Sequence, residues 1–265
     1  MIHPSAHIHP QAKLHSSVQV GPFAVIDAGV ELGPDCVVGP HVYLTGLTKI
    51  GAGNKFHASC VIGDAPQDLK YRGHPTRLII GDQNTFREHV TVNRATTPEE
   101  ATVLGSHNLI MASAHIGHNC VLGDHVIIAN SSMLAGHVSV EDRALISGSC
   151  LIHQFCRIGT LALMQGGSAV SKDLAPFTLA HGINGICGLN VIGLRRAGYS
   201  PAERLELSAL YHALFRSGQN LSEAAAAARK DFSSRGARLM LDFIAASKRG
   251  VCLAKGLARG GRPML

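Results

Sequence analysis

The chain has 265 residues, with 24 Lys plus Arg against 18 Asp plus Glu, and a formal charge of +6 at pH 7. That length holds one large or two modest domains; no apolar run approaches the roughly eighteen residues of a membrane span, and no charged-then-apolar leader precedes the first repeat at Ile2. The expectation is a soluble cytoplasmic protein with no stable membrane insertion; the positive balance suggests an acidic partner, while an aromatic content of 5% with no interleaved basic stripe argues against nucleic acid.

From the first residues an aliphatic or Phe recurs at every sixth position: Ile2, Ile8, Leu14, Val20, Ile26 and on to Ile62, then Ile80, Phe86 and Val92, then unbroken from Leu104 to Val170. Six is neither the helical period nor the strand period, so the unit predicted is a short strand plus a turn. Four positions after each aliphatic comes a mostly small or β-branched residue, such as Ala24, Cys36, Cys60, Ala114, Cys120, Cys150 and Cys156, which falls on the same inward face. Glycine directly after the aliphatic, as at Gly33, Gly117 and Gly123, reads as the permissive backbone of a sharp corner. Three hexads then close one triangular coil, and about nine coils at roughly 4.8 Å each make a column on the order of 40 Å long. The inward cysteines read as small hydrophobes in a reducing compartment, and neither a disulfide framework nor a CxxC zinc pair is indicated.

Two segments break the period. Further hexads would bury Asp68 and His74 in the first and Pro98 in the second, so residues from about 66 to 78 and from about 95 to 103 are expected as loops on a column spanning 1–180. With the loops removed, counting in threes puts Ile62, Val92, Ile116, Leu134 and Ile152 in one phase. Both loops then share an edge with a vertical row of His118, Gly136 and Gln154, flanked by Asn119, His137 and Phe155, with His153 adjoining. Loops on a rigid scaffold are disproportionately functional.

Beyond the column, residues 181–250 read as a helical domain. Ser200, Pro201 and Glu203 form a capping signature, followed by an apolar stripe of Leu207, Leu210, Tyr211 and Leu214 that Gly218 ends. Ser222 and Glu223 open a second helix, and 237–248 reads as a third. A Gly-rich basic tail over 251–265 closes the chain; Arg249, Lys255, Arg259 and Arg262 crowd this end and read as a frayed, solvated segment.

The histidine row carries the chemistry. A neutral imidazole can take a proton from a hydroxyl or amine near working pH. With His118 as base, the Gly136 N–H one coil away can hold the oxyanion of an attacked acyl group, and glycine lets substrate approach its backbone. Most other histidines, among them His3, His7, His9, His15, His41, His57 and His125, sit at turn or outward positions with no such arrangement.

The strings Gln67-Asp68-Leu69-Lys70-Tyr71, Asn108-Leu109-Ile110-Met111, Ala114-His115-Ile116-Gly117-His118, Leu134-Ala135-Gly136-His137-Val138-Ser139-Val140, His153-Gln154-Phe155-Cys156 and Gly193-Leu194-Arg195-Arg196 closely resemble the UDP-N-acetylglucosamine acyltransferases, the first acyltransferases of lipid A synthesis, over residues 1 to about 250. The resemblance implies a mainly β fold, a left-handed parallel β-helix of hexapeptide repeats with a C-terminal α-helical domain. The implied activity is transfer of a 3-hydroxyacyl chain from acyl carrier protein to the glucosamine 3-position of a UDP-amino sugar by a cytoplasmic homotrimer, with sites between columns. No cofactor and no metal is implied beyond the phosphopantetheine that carries the donor. Position by position, His118 looks like the base and Gly136 like the oxyanion donor, with Asn119 following the base. Asp68, Lys70, His115 and Gln154 resemble residues around the sugar and phosphates, His137 and His153 lie along the acyl-phosphopantetheine path, Asn190 and Arg196 resemble nucleotide-site residues, and Gly166 falls at the acyl-chain ruler, flanked by Gln165 and Gly167.

Three positions depart from the family pattern. Asn119 stands where Asp is usual, and Ile192 and Ala197 stand where Glu and Arg are frequent. Asn119 can fix an imidazole tautomer but lacks the charge that stabilises imidazolium, so a weaker base is expected unless another carboxylate reaches His118. Competing readings are the related hexapeptide N-acyltransferase of the same pathway, a γ-carbonic-anhydrase-like zinc enzyme using His118, His137 and His153, and a non-catalytic scaffold.

Overall fold

A single hexad cannot bury its inward aliphatic alone, so successive coils must stack. The computed structural model, which describes residues 1–254, is a left-handed parallel β-helix of this kind followed by helices. Its short strands form three sheets, the faces of a triangular prism. One face has nine strands, from His7–Ile8 to Ala169–Val170, and a second has eight, from Lys13–Leu14 to Arg157–Ile158. The third has eleven, ending in the antiparallel pair Thr178–His181 and Gly185–Leu189 and the strand Leu253–Ala254.

On the nine-stranded face Ile62 pairs with Val92, Val92 with Ile116, Ile116 with Leu134 and Leu134 with Ile152, the phase that counting in threes predicts. These aliphatics and the small residues between them, Ala114, Cys120 and Cys150 included, are buried. Burial in that apolar interior pushes the Cys60 thiol up to about 11 and the Cys120 thiol to about 12, so both stay protonated and unreactive.

The corners work differently from the sequence expectation. The left-handed backbone falls three positions after the aliphatic, at Asp35, His107, Asn119, His125, Ser131, His137 and Phe155, all with φ between 57° and 64°. Asn, Asp and His tolerate that region better than most residues, which accounts for several of the turn histidines. The glycine directly after the aliphatic serves close stacking instead. A Cβ on Gly117 would sit 2.8 Å from the Leu134 carbonyl oxygen of the next coil, and one on Gly33 equally close to that of Gly51.

The loops occupy 65–76 and 94–100, between the strands Val61–Asp64 and Arg77–Ile80 and between Thr91–Asn93 and Ala101–Leu104. Both leave the nine-stranded face at one corner. Asn93 Nδ2 donates to the Ala65 carbonyl at 3.0 Å, and Arg94 donates to the Gly63 carbonyl at 2.8 Å and to the Tyr71 hydroxyl at 3.0 Å, which fastens the first loop to the base of the second.

Among the described residues four helices follow the column: α1 (Val191–Arg196), α2 (Pro201–Phe215), α3 (Leu221–Ala228) and α4 (Arg235–Ala245). The expected capping box opens α2, with Ser200 and Glu203 bonding reciprocally. Asn220 caps α3 and Ser234 caps α4, so both begin slightly before the positions read from sequence, and α1 is an additional element. Arg157 links the two parts: its guanidinium lies 3.9 Å from the Phe243 ring centroid and donates to the Phe243 carbonyl. At the expected tail, Val251 and Cys252 are buried and Leu253–Ala254 pairs with the strand Gly185–Leu189. Arg249, read from sequence as solvated, donates Nε to the Ser171 carbonyl at 3.1 Å. Lys255, Arg259 and Arg262, with the rest of the basic segment, lie outside the described residues. Among the described residues no helix is long and apolar enough to cross a membrane.

Candidate active site

Strand His115–Ile116 pairs with Met133–Leu134, and that strand pairs with Leu151–Ile152, so the residues two past each aligned aliphatic, His118, Gly136 and Gln154, come into one row at the corner. The His118 imidazole lies directly over Gly136. A Cβ built on Gly136 would be 2.5 Å from His118 Nε2, a space that only a glycine leaves to the ring. Gly136 is buried and its carbonyl accepts from Phe155 N at 3.2 Å, while its own N–H donates to no protein acceptor among the described residues. The His137 and His118 rings are perpendicular at a centroid distance of 5.2 Å, and His137 stacks on Phe155 at 4.6 Å.

The hydrogen bonds around Asn119 determine which nitrogen of His118 is free. Thr96 donates to Asn119 Oδ1 from both its backbone N and its hydroxyl at 3.1 Å, and Asn119 Nδ2 donates to the Glu100 carboxylate. A carboxylate can only accept and a backbone N–H can only donate, so the two ends of the amide are assigned by chemistry. The oxygen therefore faces His118 Nδ1 at 2.9 Å, which places the imidazole proton on Nδ1 and leaves the lone pair on Nε2. The Asn119 backbone N–H is fixed in turn by the Thr102 hydroxyl at 2.8 Å. Sequence reasoning did not find Thr96, Glu100 and Thr102. The first two sit in or beside the second loop, whose position on this edge was the available signal.

The other expected residues divide between two edges of the prism. Asp68 reaches from the first loop to 3.9 Å from His118 Nε2, too far for a hydrogen bond and close enough for one hydroxyl to bridge both groups. Its other oxygen accepts from Lys70 N at 2.8 Å, and the Lys70 side chain is exposed. His115 shares a 2.7 Å hydrogen bond with the Thr91 hydroxyl. His153 meets the Arg249 guanidinium at 3.4 Å, and Gln154 is exposed beside it. From His115 and His153 an apolar groove runs along the outside of the nine-stranded face over Met133, Leu151, Ala169 and Ile183.

Gly166, Asn190 and Arg196 lie elsewhere. Gly166 follows the strand Leu163–Met164 of the eleven-stranded face, at a different corner from His118, and is exposed. Arg196 lines a groove on that face with Gln165, Ile192 and Ala197. Asn190 is buried and caps α1: its Oδ1 accepts from Gly193 N and its Nδ2 donates to the Leu161 carbonyl, both at 2.9 Å. Its amide is thus engaged by the protein at both ends. Among the described residues no group of three His, Cys, Asp or Glu is placed to hold a metal ion.

Burial, with His118 adding to it, holds both His115 and His137 below the ordinary value of 6.5; Glu100 and Asp68 partly oppose the effect on His137. For such a base the unfolded chain takes up the proton first as pH falls through 6.5. The stabilisation from keeping these rings neutral is therefore complete above that pH and declines below it. Thermal denaturation across this range should show Tm falling with pH, and His115→Gln should flatten the fall. Identical slopes for the two proteins would mean that His115 does not contribute.

A family model described as UDP N-acetylglucosamine O-acyltransferase, domain 2, matches residues 173–252, and the bacterial transferase hexapeptide model matches 11–46 and 101–136. An acyl-[acyl-carrier-protein]–UDP-N-acetylglucosamine O-acyltransferase of Halorhodospira halophila is 42% identical over 253 residues, covering 94% of this chain and 98% of the relative. A protein of the same name from Gloeothece citriformis is 49% identical over 184 residues, 69% of this chain and 67% of the relative. The crystal structure of the UDP-N-acetylglucosamine acyltransferase of Bacteroides fragilis superposes with a TM-score of 0.91 at 37% identity, covering 95% of this chain and 99% of that one. With the hexad column, the capped helices and the His118 edge in the same chain, these matches settle its kinship: the chain belongs to the UDP-N-acetylglucosamine O-acyltransferase family.

Proposed function

We propose that this enzyme transfers a 3-hydroxyacyl chain from acyl carrier protein to the 3-position of the glucosamine in UDP-N-acetylglucosamine, the opening step of lipid A synthesis, in the cytoplasm. The observation that carries the mechanism is the free Nε2 lone pair of His118 held over Gly136, whose N–H has no protein acceptor among the described residues. In this reading the sugar hydroxyl attacks the thioester carbonyl and its proton passes to His118 Nε2. The carbonyl oxygen becomes an oxyanion held by the Gly136 N–H. Collapse of the tetrahedral intermediate breaks the C–S bond, and the departing phosphopantetheine thiolate takes the proton back from His118. The site performs this without a covalent acyl-enzyme and without a cofactor of its own.

The remaining residues fit as binding groups. Asp68 and Lys70 from the first loop, with His115 and Gln154, surround the sugar and its phosphates, while His137 and His153 flank the pantetheine arm. The apolar groove over Met133 and Leu151 supplies a dry surface for the acyl chain. Gly166 and Arg196 belong to a different edge of the same prism, so a site that uses them together with His118 needs a second column alongside. This supports the homotrimer, with Gly166 limiting chain length and Arg196 beside the nucleotide.

The test is an acyl-transfer assay with 3-hydroxyacyl carrier proteins of graded length and two acceptors, UDP-N-acetylglucosamine and its 3-amino analogue. Product from the 3-hydroxy acceptor is the expected result. Product from the 3-amino sugar alone would move the acceptor atom to nitrogen, and no product from either would overturn the reading.

A further inference from the structure

We propose that Glu100, on the second loop, is a positioning residue of the transfer reaction, acting through the Asn119 amide to hold His118 in its basic tautomer and to support its positive charge. The inference rests on the acyl-transfer reading above and assigns a role to a residue outside the motifs that define the family resemblance.

A carboxylate at position 119 would fix Nδ1–H and stabilise imidazolium directly; a neutral amide does the first and not the second. The Asn119 amide is not isolated, however. Its N–H points at the Glu100 carboxylate and its oxygen at His118 Nδ1, so imidazole, amide and carboxylate form one hydrogen-bonded chain. Donation to an anion polarises the amide and makes its oxygen a stronger acceptor at the moment His118 gains its proton. The missing charge is thus supplied from one residue further away.

The chain is also directional. If Asn119 turned its amide over, its NH2 would face the Thr96 N–H and its oxygen would face Glu100, two like-to-like contacts in place of two hydrogen bonds. Thr97 Oγ1 donates to the same carboxylate at 3.3 Å and keeps it in place at the loop end. The other titratable groups that face His118 are Asp68 from the first loop, His115 on its own strand and His137 on the next coil. None of these contacts Asn119, so Glu100 is the charge that reaches His118 through Nδ1.

Four proteins separate the possibilities: wild type, Glu100→Gln, Asn119→Asp and the double variant, each assayed for kcat and KM across pH. Glu100→Gln keeps an acceptor for the Asn119 N–H and removes only the charge. It should lower kcat about tenfold with KM nearly unchanged and move the acidic limb of the kcat profile to lower pH, because imidazolium loses support. In Asn119→Asp two carboxyls share one contact and must take up a proton, so the profile should gain an ionisation that wild type lacks. The double variant puts a single carboxylate directly on His118 Nδ1 and should recover the rate lost by Glu100→Gln. Nitrogen NMR of folded, ligand-free wild type should show His118 protonated at Nδ1, a readout independent of turnover. Full wild-type activity with an unshifted Glu100→Gln profile, or His118 protonated at Nε2 in the resting protein, would overturn the proposal and leave the acyl-transfer reading standing. Wild type that transfers no acyl group would overturn the transfer reading itself.

Discussion

His118→Ala is expected to lower kcat for acyl transfer by roughly 10²- to 10⁴-fold, the range for loss of a positioned general base, while leaving KM for both substrates and the melting temperature close to wild type. The division follows from where the ring sits. It is at the rim of the column, outside the aliphatic stack, with its side chain 13% exposed. Its hydrogen bond is to Asn119 Oδ1, which keeps both bonds from Thr96 when the imidazole is gone. Removing the ring therefore opens no cavity in the apolar interior and leaves no buried acceptor empty. Steady-state kinetics beside a thermal melt checks both halves. A variant that retains more than about a tenth of wild-type kcat would fall outside the range for a general base and return His118 to the ordinary turn histidines.

Those turn histidines explain why the sequence was more legible for fold than for chemistry. One aliphatic every six positions leaves a chain few ways to bury itself, and the register from Ile62 to Ile152 could be counted before any coordinate was known. Stacking in coils then placed His118 over Gly136 without further assumption. What periodicity could not give was the reason for each residue at a corner. Glycine after the aliphatic suggested the permissive backbone of a sharp corner, whereas the left-handed conformation falls two residues later, on His, Asn, Ser and Asp, and the glycine is needed because the next coil passes too close for a Cβ. His107 and His125, which stack on each other at 4.9 Å, occupy such corners just as His137 does. Only their neighbours distinguish them.

The neighbours come from segments that have no period. Asp68 and Glu100 reach the site from the two loops, and a loop reveals its place on the column through its end points but not through its interior. Asn119 was legible as a departure, but its consequence was not. A neutral residue beside the base predicts a weaker base unless another carboxylate reaches His118, and the carboxylate that lies behind the amide, Glu100, belongs to a loop without a period. Asn190 shows the opposite case. A position that resembles a nucleotide contact also caps α1 and donates to the Leu161 carbonyl, so it holds the helix that carries Arg196, a second task that the resemblance did not announce.

Gly136→Ala is the companion experiment to His118→Ala, and its effect should be nearly as large for a purely steric reason. The backbone at Gly136 is outside the left-handed region, so alanine is conformationally acceptable there and the fold should survive. The new methyl, however, would lie 2.5 Å from His118 Nε2, about an ångström inside contact distance, and the ring must swing away. Swinging it breaks the Nδ1 bond to Asn119 and moves the lone pair off the acceptor hydroxyl; a shift of about 1 Å at a reacting atom can cost on the order of 100-fold in rate. The Gly136 N–H is untouched by the substitution, so the loss measures the place of the imidazole rather than the oxyanion contact. That makes the double variant informative. In a His118→Ala background no ring remains to displace, and Gly136→Ala should then cost almost nothing further, a strongly non-additive pair. Two losses that simply multiply would mean that the methyl acts on substrate or on the oxyanion, and that the two residues do not meet as the stacked coils place them.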